Sequence, residues 1–220
     1  MLKNILSLFL KSNCPLCQRS TDDIICRYCE QKLRCCQLTN YKQFSRQNYL
    51  LFSWGKYDDY LKRSIAAFKY DKNREIGELF GRWLGEAWLQ SGNKKTYPKL
   101  TVIPIPLHSE KLKMRGFNQA ELIAQSFCHI TGYAIKTELL IRVKNTEAMF
   151  SLTPQQKKAN IDKAFRIGKD YQKINKTQEI LMIDDIYTTG TTVDEGIKVL
   201  VNAKLKPLGV ATVSLTKYRE

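Results

Sequence analysis

The stretch Ile180-Leu181-Met182-Ile183-Asp184-Asp185-Ile186-Tyr187-Thr188-Thr189-Gly190-Thr191-Thr192 decides the fold class. Four apolar residues run without alternation into two adjacent acids. Such a run suits a central parallel strand covered on both faces. The acids fall where that strand emerges, and open α/β sheets bind ligands outside the carboxyl ends of their strands. A loop of small hydroxyl residues around one glycine follows, then an amphipathic helix. Thr192 and Glu195 have capping-box spacing, which predicts the helix start at Thr192. Val193, Ile197, Leu200 and Val201 make its apolar stripe.

The loop chemistry is specific. Gly190 allows positive φ and close approach of backbone to a ligand. Thr188, Thr189, Thr191 and Thr192 offer hydroxyl donors, and their amides can point inward as an anion nest at a helix N-terminus. Carboxylates cannot hold a phosphate, but Asp184 and Asp185 can accept hydrogen bonds from two vicinal hydroxyls. Phosphate cradle plus diol acceptor predicts a ribose 5-phosphate ligand. The bland alternative is a strand–helix turn whose acids only cap and solvate. The full strand–loop–helix context argues against it.

This stretch resembles the 5-phosphoribosyl-1-diphosphate (PRPP) motif of type I phosphoribosyltransferases. The resemblance implies that Asp184 and Asp185 contact the ribose hydroxyls, and that Thr188, Thr189, Gly190, Thr191 and Thr192 wrap the 5-phosphate. Tyr187 departs from the pattern, where an aliphatic residue is commoner.

The 220 residues suit a medium domain with a small appendage, divided here as 1–45 and 46–220. No apolar run approaches the ~20 residues that cross a bilayer. The apolar segment 2–10 is short for a signal peptide and lacks a following A-x-A site, so it reads as a short helix packed on the body. The net charge of +15 favours polyanions, although heavy general use of lysine gives the same number. Two runs are clustered: Lys111, Lys113 and Arg115, and the lysine-rich stretch 157–176.

Six of the seven cysteines precede position 37. Cys14, Cys17, Cys26 and Cys29 form two C-x-x-C knuckles, enough thiolates for a tetrahedral Zn²⁺. So short a segment has little apolar surface, and metal binding would supply its folding free energy. Disulfides lack a secretory signal, a redox C-x-x-C lacks a βαβ context, and the spacings differ from common ferredoxin runs. Cys35 and Cys36 are adjacent: remnants of another knuckle pair, or a substitute for Cys26 or Cys29. Cys128 reads as a small buried hydrophobe on a helix.

Along the body, 50–54 reads as a strand and 57–70 as a helix with Leu61, Ile65 and Phe68 on one side, broken at 68–71. A helix is predicted at 74–90, ending at Ser91-Gly92-Asn93, then a strand at 100–105. The segment 107–116 is charged and aperiodic and is expected to move. Asn118 and Glu121 fit N-cap and N3 of a helix stapled by Phe117 and Leu122 and ended by Gly132. A strand is predicted at 134–143, a helix from Pro154, a strand at 164–167 and a last strand at 208–215. This alternation predicts a mostly parallel α/β sheet with helices on both faces.

Three further segments widen the resemblance: Ile103-Pro104-Ile105-Pro106-Leu107-His108, Arg115-Gly116-Phe117-Asn118-Gln119-Ala120-Glu121-Leu122 and Asn160-Ile161-Asp162-Lys163-Ala164-Phe165. With Phe68-Lys69-Tyr70 and the knuckles, they look like the ComF family of competence proteins, ComFC type. One departure is Met149, where glutamine is usual after Arg142 and Thr146. The resemblance implies a zinc finger joined to a phosphoribosyltransferase-like domain, and a role in DNA uptake during natural transformation. It also implies a cytoplasmic protein acting beside a helicase-like ComF partner, with PRPP and Mg²⁺ as ligands. Diphosphate binding is assigned to Lys69, Tyr70 and Arg115, the last in a mobile loop; the alternative for the two cations is a solvated surface. Contact with single-stranded DNA would use the zinc module and lysine-rich loops, with Tyr28, Tyr41 and Phe44 for stacking. Two other readings stay open: a transferase with an unidentified acceptor, and a PRPP-sensing regulator of DNA binding. Thr188 replaces the acid that serves the base in some purine-salvage relatives, and no amino-terminal cysteine nucleophile follows Met1. His108 and His129 read as structural or surface residues.

Overall fold

The computed structural model describes residues 12–39, 44–46, 49–71, 73–146 and 154–216. The expectations for 2–10, for the side chains of Tyr41 and Phe44, and for Met149 lie outside the described residues. A two-stranded ribbon, β1 (Ser12–Asn13) with β2 (Ser20–Thr21), precedes α1 (Arg27–Arg34). There follow β3 (Phe44–Arg46), β4 (Tyr49–Lys56), α2 (Asp59–Tyr70), α3 (Arg74–Gln90), α4 (Asn93–Thr96) and β5 (Leu100–Pro104). Next come α5 (Ser109–Arg115), α6 (Gln119–Thr131), β6 (Ala134–Ile135), β7 (Leu140–Arg142), α7 (Pro154–Ile161) and β8 (Phe165–Ile167). The chain closes on a 3₁₀ turn (Lys169–Lys173), β9 (Glu179–Tyr187), α8 (Thr191–Asn202) and β10 (Lys206–Leu215).

The main sheet has the order β3-β4-β10-β9-β5-β6, parallel throughout except for the antiparallel edge strand β3. The expected mostly parallel architecture is therefore what the chain forms. Strand β9 lies inside it, and its side chains are buried on both faces. Leu181 and Ile183 join a core with Phe68 of α2, Trp83 and Trp88 of α3 and Phe127 of α6. Ile180 and Met182 join another with Leu140 of β7, Phe165 of β8 and Val193 and Leu200 of α8. An apolar run without alternation is the pattern such double burial demands.

Helices α3 and α6 meet along Gly77, Gly81 and Gly85, one residue per turn. A Cβ at Gly81 would strike the Ile123 carbonyl oxygen and the Ser126 side chain. The glycines let the backbones approach, and the sequence reading of α3 saw only its apolar face. The N-terminal knuckles share the first core. Lys56 N donates to Cys36 O (2.8 Å) and Leu38 N to Trp54 O (2.9 Å), while the Arg34 guanidinium lies 4.2 Å from the Trp83 ring centroid.

Four expectations are corrected. The predicted 134–143 strand is two: β6 ends on the main sheet, and β7 pairs with β8 in a separate ribbon. Between them Asp170 Oδ2 accepts from Glu138 N and holds the turn, which apolar alternation alone does not reveal. The break at 68–71 comes later, because α2 continues through Tyr70. The charged 107–116 segment holds a helix, α5, capped by His108 at its start and stopped by Gly116 at φ +82°. It read as irregular because none of its residues is buried. The helix after the motif starts two residues earlier than the capping box predicts. Its N-cap is Gly190, without a side-chain cap, and Glu195 accepts from Lys163 N instead of closing a capping box. Val201 of its predicted stripe is 54% exposed.

Candidate functional site

At the carboxyl end of β9 the two acids meet their partners on opposite sides of the sheet. Successive strand residues point to opposite faces. Asp185, 7% exposed, faces α2, where Lys69 Nζ forms an ion pair with its Oδ2. Asp184 lies toward β7 and feels the charge of Arg142. Its Oδ1 accepts from Asp185 N at 2.8 Å. Burial, and next the charge of Asp185, push the Asp184 carboxyl well above the ordinary carboxylate range. Burial opposes the charge on Lys69, but the two acids overcome it and hold the ammonium above its usual value.

Two cations act on the acids directly, Lys69 and Arg142, and two more, Arg115 and Lys111, lie beside those cations. Arg115 acts electrostatically on Lys69 and Lys111, and Arg142 acts on Lys111. Burial, then these guanidiniums, lower Lys111, whose Nζ donates to Thr146 O at 2.6 Å. Burial also lowers Arg142, which donates to Thr146 Oγ1 and stacks on Phe165 at 5.4 Å. Arg115 donates to Gln119 Oε1 at 2.5 Å and sits 5.7 Å from the centroid of the Tyr70 ring. Two buried donors, Arg142 Nε and Gln119 Nε2, have no hydrogen-bond partner among the described residues. Unpaired buried donors are costly, and a bound anion that reached them would offset that cost. Lys69 and Tyr70 belong to the last turn of a helix, not to a loop as expected. Arg115 is likewise the last residue of α5.

The hydroxyl loop leaves β9 over a buried relay. Gly190 has φ +86°, and a Cβ there would strike the Tyr187 hydroxyl and come within 3.0 Å of Tyr49 Oη. Tyr49 Oη donates to Asp194 Oδ1 at 2.9 Å, so Tyr187 is the donor across its 2.9 Å contact with Tyr49. The relay ties the base of the loop to β4 and to the first turn of α8. Thr189 Oγ1 and Thr191 Oγ1 lie 2.7 Å apart at its rim, and Thr188 and Thr192 flank them. Tyr187, odd as a motif residue, is thus the floor under the loop. The sequence reading missed Tyr49, Asp194 and Lys111 as site residues and named Arg142 only as a landmark. Lys111 had a signal, its place in a basic run; the tyrosine pairing had none.

The second cluster is apart from the first. The Sγ atoms of Cys14, Cys17, Cys26 and Cys29 all lie within 4.8 Å of one another, Cys17 and Cys26 at 3.5 Å. Four sulfurs at this separation suit tetrahedral Zn²⁺ with Zn–S of about 2.3 Å. Burial would raise Cys14, but the amides of Cys26, Leu16 and Cys17 outweigh it and bring the thiol down to about 7, whereas burial and the neighbouring thiols push Cys29 up. Amide donors aimed at a sulfur favour a thiolate, the form that binds metal. Cys36 stands outside the cluster and donates to Asp58 Oδ1 at 3.1 Å, and Cys35 is exposed. Neither replaces Cys26 or Cys29. Cys128 is buried in α6, as expected.

No protein-family model matches the chain. Competence protein ComFC of Bacillus subtilis is 29% identical over 212 residues, covering 93% of this chain and 77% of its own. ComFC of Streptococcus pneumoniae is 26% identical over 94% of this chain and 81% of its own. The chain resembles the ComFC proteins over nearly its whole length. The DNA utilization protein YhgH of Salmonella typhi is 28% identical over 75% of this chain and 69% of its own. Among solved structures, an adenine phosphoribosyltransferase aligns with 86% of this chain and 90% of its own at 13% identity and TM-score 0.44. Two of the segments that carry the ComFC resemblance meet at the acid pair: Lys69 forms the ion pair with Asp185, and Arg115 acts electrostatically on Lys69. Among the described residues no helix is long and apolar enough to cross a membrane.

Proposed function

We propose that this chain acts in DNA uptake during natural transformation, as a PRPP-binding protein that contacts single-stranded DNA. The observation that carries the ligand is the pairing of Asp184 and Asp185 with a positive-φ glycine loop on the same strand end, with Lys69 on Asp185, Arg142 acting on Asp184, and Lys111 and Arg115 beside these cations. The threonine loop and the N-terminus of α8 take the 5-phosphate. The acids take the ribose hydroxyls, and the guanidiniums with the orphaned Gln119 amide take the diphosphate. Asp184 and Asp185 are the carboxylates that would face Mg²⁺; their mutual crowding is what a cation relieves, and the ion would neutralise the diphosphate. In the knuckles Cys14, Cys17, Cys26 and Cys29 would hold structural Zn²⁺. The ComFC-like chain works in the cytoplasm with a helicase-like partner.

The Lys69–Asp185 ion pair favours a sensing role over plain turnover. A ligand that engages Asp185 must loosen Lys69 and so reach α2, giving two states with different ligand affinity. A crystal grown with PRPP and Mg²⁺ tests the site. Density for the phosphate over Gly190 and for the diol at Asp184 and Asp185 is expected. Density elsewhere, or none at saturating ligand, overturns the assignment.

A further inference from the structure

Between the zinc knuckles and α2 runs an open groove of about 470 Å³, which reaches the proposed phosphoribosyl site at its Tyr70 end. One wall is Tyr28 with the Leu16–Cys17 knuckle, and the other is the face of α2 carrying Tyr60, Arg63 and Tyr70. Tyr28 and Tyr70 are exposed, at 44% and 71%, so their ring faces are open to a partner. Each ring has cations against it. Arg19 lies 4.6 Å from the Tyr28 centroid, Arg63 4.7 Å from that of Tyr60, and Arg115 5.7 Å from that of Tyr70. Lys32 stands between the walls, 5.7 Å from Tyr28 and 5.8 Å from Tyr60. Asp71 is the one carboxylate among the lining residues.

We infer that this groove is the track of a single-stranded nucleic acid, with bases stacked on Tyr28, Tyr60 and Tyr70 and phosphates beside Arg19, Lys32 and Arg63. Aromatic faces interleaved with cations are the chemistry that binds single strands without reading sequence. Tyr60 and Tyr70 stand about 15 Å apart along the helix, at 1.5 Å per residue, a span for several nucleotides rather than one free base. A duplex hides the faces that the tyrosines need. The inference rests on the DNA role proposed above and gives that role a location. It also gives the zinc knuckles a task, since they form one wall. Helix α2 carries the strand on one face and Lys69 toward Asp185 on another, so one element borders both ligands.

The test uses the full zinc-loaded chain, a fluorescent oligothymidylate for affinity, and a strand carrying photoreactive 5-iodouracil for location. Tyr60→Ala and Arg63→Ala are each expected to weaken strand binding about tenfold, in the range of one stacked base or one lost cation contact. Tyr60→Phe keeps the affinity, because the ring face is kept. Adducts are expected on Tyr28, Tyr60 or Tyr70, and duplex and polyglutamate compete poorly. Adducts confined to Lys173 and Lys176, unchanged affinity in Tyr60→Ala, or equal competition by polyglutamate would overturn the groove. Calorimetry with PRPP on Tyr60→Ala separates the two readings. Normal PRPP binding without strand binding by the wild type sinks the groove alone. Tyr60-dependent strand binding without PRPP binding sinks the ribose site alone.

Discussion

At Gly190 two demands fall on one residue. The backbone is left-handed, and the space where a Cβ would stand belongs to the Tyr187 hydroxyl. Gly190→Ala is therefore expected to cost at least the ~1–2 kcal/mol of a left-handed non-glycine residue, read by urea unfolding. The same change should push the loop off Tyr187 and weaken PRPP binding tenfold or more. Stability equal to wild type would mean the loop does not rest on the tyrosine. Asp184 makes a prediction with a definite sign. Its carboxyl is raised in the folded chain relative to its usual 3.8. The folded state therefore holds a proton that the unfolded state has released, and stability from this group is full below about pH 4 and falls as pH rises above it. In metal-free buffer Asp184→Asn should flatten that decline between pH 5 and 7, followed by thermal unfolding. A variant with the wild-type slope would remove Asp184 as its source. The motif residues were legible because their types alone state their chemistry. Tyr49 was not, since 138 residues separate it from Tyr187 and only the parallel pairing of β4, β10 and β9 brings them together.

Among the elements, α3 and α6 matched their predicted limits closely and β9 was found but runs on past its apolar run 180–183 through both acids to Tyr187, each element carrying a strong local signal. For β9 the signal is an unbroken apolar run, and for α6 it is Asn118, whose Oδ1 accepts from Ala120 N while its Nδ2 donates to Ile105 O. Asn118→Ala should cost about 1 kcal/mol for the cap and more for the Ile105 carbonyl left bare, measured by urea unfolding. No loss would mean that water replaces both bonds. The illegible elements are those held by tertiary contacts. Helix α5 has no buried face to give it a period, and the 134–143 segment keeps its alternation across a turn between two sheets. The glycine stripe of α3 is a further case, because a small residue signals close approach only when its neighbour is known. Gly81→Leu should force α3 from α6 and cost roughly 1–3 kcal/mol or more, as overpacking does. A neutral outcome would mean that the helices part without loss.

For the whole molecule, the net charge and the four-cysteine cluster each lead to a prediction. The knuckles pack into the same core as Trp83 and Trp88, so removing Zn²⁺ should lower the melting temperature of the whole chain. One zinc per chain by atomic absorption is expected, and Cys26→Ser should abolish it. Retention of metal in that variant would point to other ligands. A chain of net charge +15 that binds a strand through its phosphates should lose affinity steeply with salt, and a flat response would exclude that mode. What the chain order scatters, the sheet gathers: Lys69, Arg115, Arg142 and the acid pair come from α2, α5, β7 and β9. The most direct test of that gathering is calorimetric titration of PRPP with Mg²⁺ into the wild type and into Asp184→Asn/Asp185→Asn. The account predicts saturable binding by the first and none by the second, with both folded by circular dichroism. Equal affinity in the two would contradict it.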